Sequence, residues 1–217
     1  MGSQLLISGD TKPGGGQDKM HLANFFNFGS TFSQVPICAT NDKLDWETNC
    51  RIVKGDYTGV VLPVVLKQSS GKKWTDILRP NSVSMYIVSQ RFLELLEKNN
   101  IIGWKTYPVT ILDQENNMIY GYAGLSVIGR SGPFDYSKSK IFEKQLVPNG
   151  TKTNYYKGLY FDLEKWDGSD FFIPEGTLNI IVSEKVMQLI KKFKITNADL
   201  QSTAEYEIPE YALPKSS

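Results

Sequence analysis

The chain has 217 residues, enough to bury a sizeable core in one domain or in two small lobes. Hydrophobic residues make up 41% of the sequence and charged residues 22%, which is typical of a globular protein and excludes general disorder. The formal net charge of +1 gives no electrostatic basis for general nucleic-acid binding, and no stretch approaches the roughly 20 apolar residues of a membrane helix.

The N-terminus and the cysteines indicate the compartment. Residues 1–19 lack the basic start and the long apolar run of a secretion signal. The two cysteines, Cys38 and Cys50, have no CxxC spacing and are too few for a disulfide framework, which favours free thiols in a reducing environment. We therefore expect a cytoplasmic protein.

A flexible lead-in is predicted for residues 1–30, because its middle part is rich in Gly, Pro and polar residues. Residues 31–217 are predicted to form a single α+β domain, with two intertwined lobes (31–130 and 131–217) as the alternative. The clearest early strand signal covers residues 58–68, where Pro63 favours an edge strand or a bulge.

The next segment predicts a strand, a helix and a hairpin in succession. Residues 84–88 are β-prone, Ser89 can cap a helix, and Phe92, Leu95 and Leu96 lie on one helix face. Alternation over residues 104–112 and a long apolar run over 118–129 predict two strands of an antiparallel hairpin. Residues 130–156 are predicted to be rich in loops.

A second strand–Ser–helix segment repeats the first. Residues 87–96 read IVSQRFLELL and residues 181–190 read IVSEKVMQLI, and alignment of Ser89 with Ser183 also matches Ile101 with Ile195. Since one such unit cannot bury its own apolar face, the fold class predicted is α+β, with two related strand–Ser–helix–strand units packed with antiparallel hairpins. A last β-prone piece covers residues 203–209.

Neither repeated serine is predicted to be a nucleophile. A catalytic serine requires a base, whereas the single histidine, His21, lies in the predicted lead-in and no GxSxG motif is present. We therefore interpret Ser89 and Ser183 as structural helix caps. One His and two Cys fit no zinc spacing, and no phosphate-binding glycine motif occurs, so no catalytic residue, metal or cofactor is predicted.

The most distinctive polar segment is FDLEKWDGSDFF, residues 161–172. Paired carboxylates beside an aromatic ring could serve a carbohydrate-active or other small-substrate hydrolase. An acidic and aromatic surface could instead bind a protein, because Trp is favoured at interfaces. A plain solvated turn is the third interpretation. The candidate partner-binding residues are Asp162, Glu164, Trp166, Asp167 and Asp170.

The order of these elements over residues 74–200 resembles the immunity proteins of bacterial polymorphic toxin systems. The resemblance is to the group with a VSE-type strand–Ser–helix unit near the C-terminus, preceded by an Asp-x-x-x-Ser element and a short Asp-x-Phe strand. These elements correspond to Ile181–Ile190, to Asp135–Ser139 and to Ser169–Phe172. The sequence departs from the pattern at Phe172, where Arg is frequent, and over its first seventy residues.

The resemblance implies a non-enzymatic, cytoplasmic inhibitor. Such a protein binds a cognate toxin domain from the same or a neighbouring cell and blocks its active site or its access to substrate. Neither nucleic acid nor a membrane is expected as a partner. The alternatives are a hydrolase that uses the carboxylates of residues 162–170, and a ligand-binding or scaffold domain without a toxin partner. The sequence does not indicate an oligomeric state.

Overall fold

The computed structural model describes residues 22–30, 37–40, 44–78, 85–145 and 150–213. The α-helices that lie wholly within these ranges are α1 (Trp46–Val53), α2 (Gln90–Lys98) and α3 (Glu184–Lys192). Short 3₁₀ helices span Tyr136–Lys138, Leu163–Lys165 and Glu210–Ala212. The strands, in chain order, are β1 (Phe25–Ser30), β2 (Ile37–Thr40), β3 (Val64–Ser70), β4 (Ile77–Leu78), β5 (Tyr86–Ser89), β6 (Trp104–Tyr107), β7 (Val109–Leu112), β8 (Met118–Ile119), β9 (Tyr122–Val127), β10 (Gly129–Ser131), β11 (Lys140–Gln145), β12 (Lys152–Lys157), β13 (Phe171–Pro174), β14 (Ile181–Ser183), β15 (Ala198–Ser202) and β16 (Glu207–Pro209).

Two sheets share a strand order and carry the repeated helices. We call β4, β5, α2, β6 and β9 the first unit, whose sheet order is β4-β5-β9-β6. The second unit consists of β13, β14, α3, β15 and β1, within the sheet β10-β13-β14-β1-β15. Val88 faces Ile77 in the first unit, and Val182 faces Phe171 in the second, each 94 positions later. The predicted α+β class with two related units is confirmed.

The N-terminal strand β1 completes the second unit. In the first unit β5 pairs antiparallel with β9, so that Val88 faces Ala123. In the second unit β14 pairs in the same way with β1, and Val182 faces Phe26. Residues 1–21 of the predicted lead-in lie outside the described residues, whereas Phe25–Ser30 form this central strand because Phe25 and Phe28 enter the core. The division into two lobes stays a prediction.

The helices of both units cover a shared core. Ser89 occupies the N-cap position of α2, and the helix ends at Asn99. The apolar face predicted for α2 is buried, as is the corresponding face of α3 at Val186 and Ile190. One contiguous cluster contains buried side chains from both units, among them Phe28, Leu96, Val127, Phe171, Val186 and Ile190. The two units therefore share this core, and a second, smaller cluster contains Phe25, Phe172 and Ile181 of the second unit.

The strand predicted over residues 104–112 is divided at Pro108. β6 pairs with β9, whereas β7 enters a separate sheet, β2-β3-β7-β8, in which it runs parallel to β3. Proline has no backbone N–H to donate to a ladder, so the change of sheet occurs where one hydrogen bond is already missing. The carbonyl of Pro108 accepts a hydrogen bond from Val64 N–H at 3.1 Å.

The prediction that residues 130–156 are rich in loops is wrong. They contain β11 and parts of β10 and β12. Ile208 in β16 of the sheet β11-β12-β16 packs against the cluster that contains Phe25 and Phe172 of the second unit. β11 is mostly exposed and reads KIFEKQ, so its charged residues hide the apolar alternation that identifies a strand. Cross-strand ion pairs help to hold this sheet, such as Lys152 with Glu143 at 3.2 Å and Lys144 with Glu207 at 2.9 Å.

We expect Gly124→Ala in β9 to destabilise the protein by about 1–3 kcal/mol, the usual cost of overpacking a core. A Cβ at Gly124 would lie 2.0 Å from the buried ring of Tyr107. The matched control is Gly29→Ala in β1, whose Cβ would make an ordinary 3.7 Å contact with Asp199. Urea denaturation measures both variants, and equal losses of stability would contradict the packing argument.

Candidate functional site

Two aspartates, the buried Asp76 and the half-buried Asp170, lie at corresponding positions of the two units. Asp76 precedes β4 and Asp170 precedes β13, each 13 residues before the repeated serine. The Ser89 hydroxyl donates to the Asp76 carboxylate at 2.8 Å, and the Ser183 hydroxyl donates to Asp170 at 2.7 Å. The backbone N–H of each serine also donates to the carbonyl of its aspartate, at 2.8 and 2.9 Å. Each aspartate thus fixes the strand–helix junction of its own unit.

Each aspartate also binds the other unit. Asp76 Oδ2 accepts a hydrogen bond from Thr196 N–H at 2.8 Å, and Asp170 Oδ2 accepts one from Ile102 N–H at 3.2 Å. Thr196 and Ile102 are again 94 positions apart, in the segments that follow α3 and α2. The residue after each aspartate donates its N–H to the carbonyl of the same partner residue, at 3.2 and 3.0 Å. The two units therefore exchange equivalent hydrogen bonds.

The exchange is more complete at Asp76. Its Oδ2 also accepts from Arg91 Nη1 at 2.7 Å and from the Thr196 hydroxyl at 2.8 Å, and its side chain is 8% exposed. Burial opposes ionisation, but the hydrogen bonds from Thr196 and Ser89 and the charge of Arg91 outweigh it, so the pKa of Asp76 is lowered.

Asp170 has weaker partners on the corresponding oxygen. Ile102 stands where Thr196 provides a hydroxyl, and Lys185 stands where Arg91 provides a guanidinium. Lys185 Nζ lies 3.7 Å from Asp170 Oδ2, and the Asp170 side chain is 14% exposed. The second site therefore keeps its backbone contact with the other unit, but among the described residues no charged donor lies within hydrogen-bond distance of the carboxylate.

A cavity of about 520 Å³ opens beside Asp170. Apolar and charged side chains line it, with Phe25, Leu163 and Trp166 as the apolar part and Asp170, Glu184 and Lys185 as the charged part. The Trp166 ring meets Phe25 edge-on at 5.1 Å, and its indole N–H donates to the Ser169 carbonyl at 3.1 Å. The indole is thus held in one orientation at the cavity wall.

The structure brings two of the five predicted partner-binding residues into this cavity, Trp166 and Asp170. The other three lie on the adjoining turn. Asp162 accepts from Glu164 N–H at 3.0 Å at the start of the 3₁₀ helix, and the side chain of Glu164 is exposed. Asp167 accepts backbone hydrogen bonds from Arg130 at 2.7 Å and from Ser169 at 3.0 Å. Burial alone would raise the pKa of Asp167, but these hydrogen bonds have the larger effect, so the pKa is lowered.

The two predicted helix caps differ. Ser89 Oγ accepts a hydrogen bond from Phe92 N–H at 3.2 Å, as a cap does. Ser183 occupies the N-cap position of α3 and donates to Asp170 as Ser89 donates to Asp76, but it makes no side-chain cap bond. The aspartate contacts of both serines were not predicted. The signal for them is the pair TDIL (75–78) and SDFF (169–172), which lie 94 positions apart like the serines.

Sequence reasoning also missed Phe25, Leu163 and Lys185 as cavity residues. Phe25 belongs to the segment predicted to be a lead-in, and pairing of β1 with β14 brings it beside Ser183. Such a contact between distant parts of the chain has no local signal. Lys185 could have been found by its alignment with Arg91.

Comparison with known families identifies a match over most of the chain. Residues 29–205, which include both aspartates and both serines, match the model described as Immunity protein family (Imm11). The predicted resemblance to immunity proteins is confirmed by this match. A search of curated proteins returned no match. Within the described ranges, no helix is long and apolar enough to cross a membrane.

We expect Asp76→Asn to lower the free energy of unfolding at pH 7 by about 3 kcal/mol, because it removes one partner of a buried charged network. The lowered pKa of Asp76 means that its contribution is present above the unfolded-state pKa of about 3.9 and is lost as the pH falls through the folded-state value. The difference between wild type and variant should therefore narrow below about pH 4.

Urea denaturation at pH 7 and pH 3 measures this effect. Asp170→Asn, with fewer and longer contacts at its Oδ2, should cost less at pH 7, and Glu94→Gln on the exposed face of α2 should cost almost nothing. A pH-independent loss in Asp76→Asn would show that the charge of Asp76 is not what stabilises the contact between the units.

Proposed function

This chain belongs to the immunity protein family Imm11, and on that premise we propose that it neutralises a cognate toxin domain by binding it and occluding its active site. The family match carries the proposal, because it covers the first unit, the second unit apart from most of β1, and the loops between them. Family membership also suggests a non-enzymatic role. We place the protein in the cytoplasm, where it would meet a toxin made by the same cell or delivered by a neighbour.

The cavity beside Asp170 and the adjoining turn form the surface that we propose for toxin binding. Protein interfaces combine a desolvated apolar centre, often aromatic, with a polar rim. Phe25, Leu163 and Trp166 supply the apolar part, and the exposed carboxylates of Glu164 and Asp167 lie on the adjoining turn. This arrangement supports the predicted partner-binding role of the segment.

The contacts of the same carboxylates support binding over hydrolysis. A hydrolase needs one carboxyl group that donates a proton and a second that acts as base or nucleophile. Asp162 and Asp167 instead accept hydrogen bonds from backbone N–H groups, and Asp170 accepts one from Ile102. At Asp167 these bonds outweigh the effect of burial and lower the pKa, so this carboxyl group suits a fixed negative surface.

We expect cells that express the toxin encoded beside this gene to survive when this chain is co-expressed, and the purified proteins to form a complex. Colony counts and size-exclusion chromatography measure the two outcomes. A toxin of an unrelated locus is the control and should still kill. Failure to bind and to protect against the adjacent toxin would contradict the proposed function.

We expect Glu164→Lys to slow association with that toxin by about tenfold at low salt, because charges at the rim of an interface mainly affect the association rate. The side chain of Glu164 is exposed, so the variant should fold normally. Glu47→Lys, an equivalent reversal at an exposed residue of α1, is the matched control and should leave the rate unchanged. Stopped-flow or surface plasmon resonance gives the rates, and equal effects of both variants would place the interface elsewhere.

A further inference from the structure

We propose that the cavity beside Asp170 receives an arginine side chain of the protein partner, whose guanidinium group binds the Asp170 carboxylate. The identification of that partner as a toxin rests on the proposed function. The cation site itself rests on a comparison between the two units of this chain.

The first unit shows which ligand the aspartate position binds. At Asp76 the guanidinium of Arg91 donates to the carboxylate at 2.7 Å and, through its other nitrogen, to the Phe193 carbonyl of the second unit. The planar guanidinium has several donors in a fixed arrangement, so one side chain serves both acceptors. The aspartate, serine and backbone donors around it have equivalents in the second unit.

The second unit lacks that guanidinium. Lys185 aligns with Arg91 and donates to the Asn100 carbonyl at 3.1 Å, while its nitrogen remains 3.7 Å from Asp170. An ammonium group is a compact charge that does not match two acceptors in the way a guanidinium does. Among the described residues, the donors within hydrogen-bond distance of the Asp170 carboxylate are Ser183 Oγ and Ile102 N. Acceptor capacity therefore remains on a carboxylate that faces the cavity.

The cavity walls suit the remainder of an arginine side chain. Phe25, Leu163 and Trp166 present apolar surface to an alkyl stem, and the face of an indole ring attracts a guanidinium. The second carboxylate in the lining, Glu184, makes the charged groups of the cavity net negative despite Lys185. The charged side chains of the lining therefore favour a cationic side chain over an anionic one.

The test is a titration of the full chain with N-acetyl-arginine amide, followed by ¹⁵N–¹H correlation spectra. We expect saturable shifts at the indole N–H of Trp166 and at the amides of Ile102 and Ser183, with a dissociation constant of about 1 mM for so small a ligand. The neutral citrulline analogue should cause none. Equal binding of citrulline, or equal binding of N-acetyl-lysine amide, would overturn the proposal of a guanidinium site.

Two variants sharpen the test. Lys185→Met removes the resident cation that competes for Asp170, so arginine amide should bind about two- to fivefold more tightly, as expected for loss of an exposed ion pair. Lys191→Met, on the last turn of α3, is the matched control and should have no effect. Asp170→Asn should abolish the shifts, and thermal unfolding checks that it is folded. Unchanged or weaker binding in Lys185→Met would overturn the proposal.

The two proposals fail in different ways. If the toxin is neutralised but arginine amide neither binds nor competes with it, the cation site is wrong and the proposed function stands. If arginine amide binds as described but the adjacent toxin is not neutralised, the cation site stands and the proposed function is wrong.

Discussion

The structure depends on a reciprocal exchange of hydrogen bonds between two similar units. Asp76 binds the segment after α3, and Asp170 binds the segment after α2. A carboxylate that accepts several N–H and O–H donors is a strong and directional contact, and its loss would leave buried donors unpaired. Because the contact runs in both directions, the strand–helix junction of each unit is held in part by the other unit. The shared apolar core has the same effect, since side chains of both units contribute to one cluster.

The two halves of this exchange differ in their side chains. Thr196 and Arg91 complete the site at Asp76, while Ile102 and Lys185 occupy the corresponding positions at Asp170. The backbone contacts that hold the units together are kept on both sides. The side chains that differ leave Asp170 with weaker partners, and the cavity lies beside this aspartate. Under the proposed cation site, one copy of the unit would serve stability and the other would serve binding.

Much of the helical part could be predicted from sequence, because an apolar face of period 3.6 and a capping serine are local signals. Phe92, Leu95 and Leu96, which the sequence places on one helix face, are buried. Other features had no local signal. The pairing of β1 with β14 joins distant parts of the chain, and the charged strand β11 has no apolar alternation. The carboxylates of residues 161–172 were recognised as a candidate site, but their placement depends on distant residues. Arg130 N–H holds Asp167 on the turn, and the Ser183 hydroxyl holds Asp170 beside the cavity.

The place of β1 in the second unit has a consequence for folding during synthesis. β1 leaves the ribosome before any other described strand, but both strands that flank it in the sheet come from the C-terminal part of the chain. The strands and helix of the first unit are much closer together in sequence and are translated before β14 appears. Contacts between distant residues form late and slow folding. The nascent chain therefore carries an unpaired strand with the apolar side chains of Phe25 and Phe28 until β14 and β15 have been synthesised, and chaperones are most useful during this period.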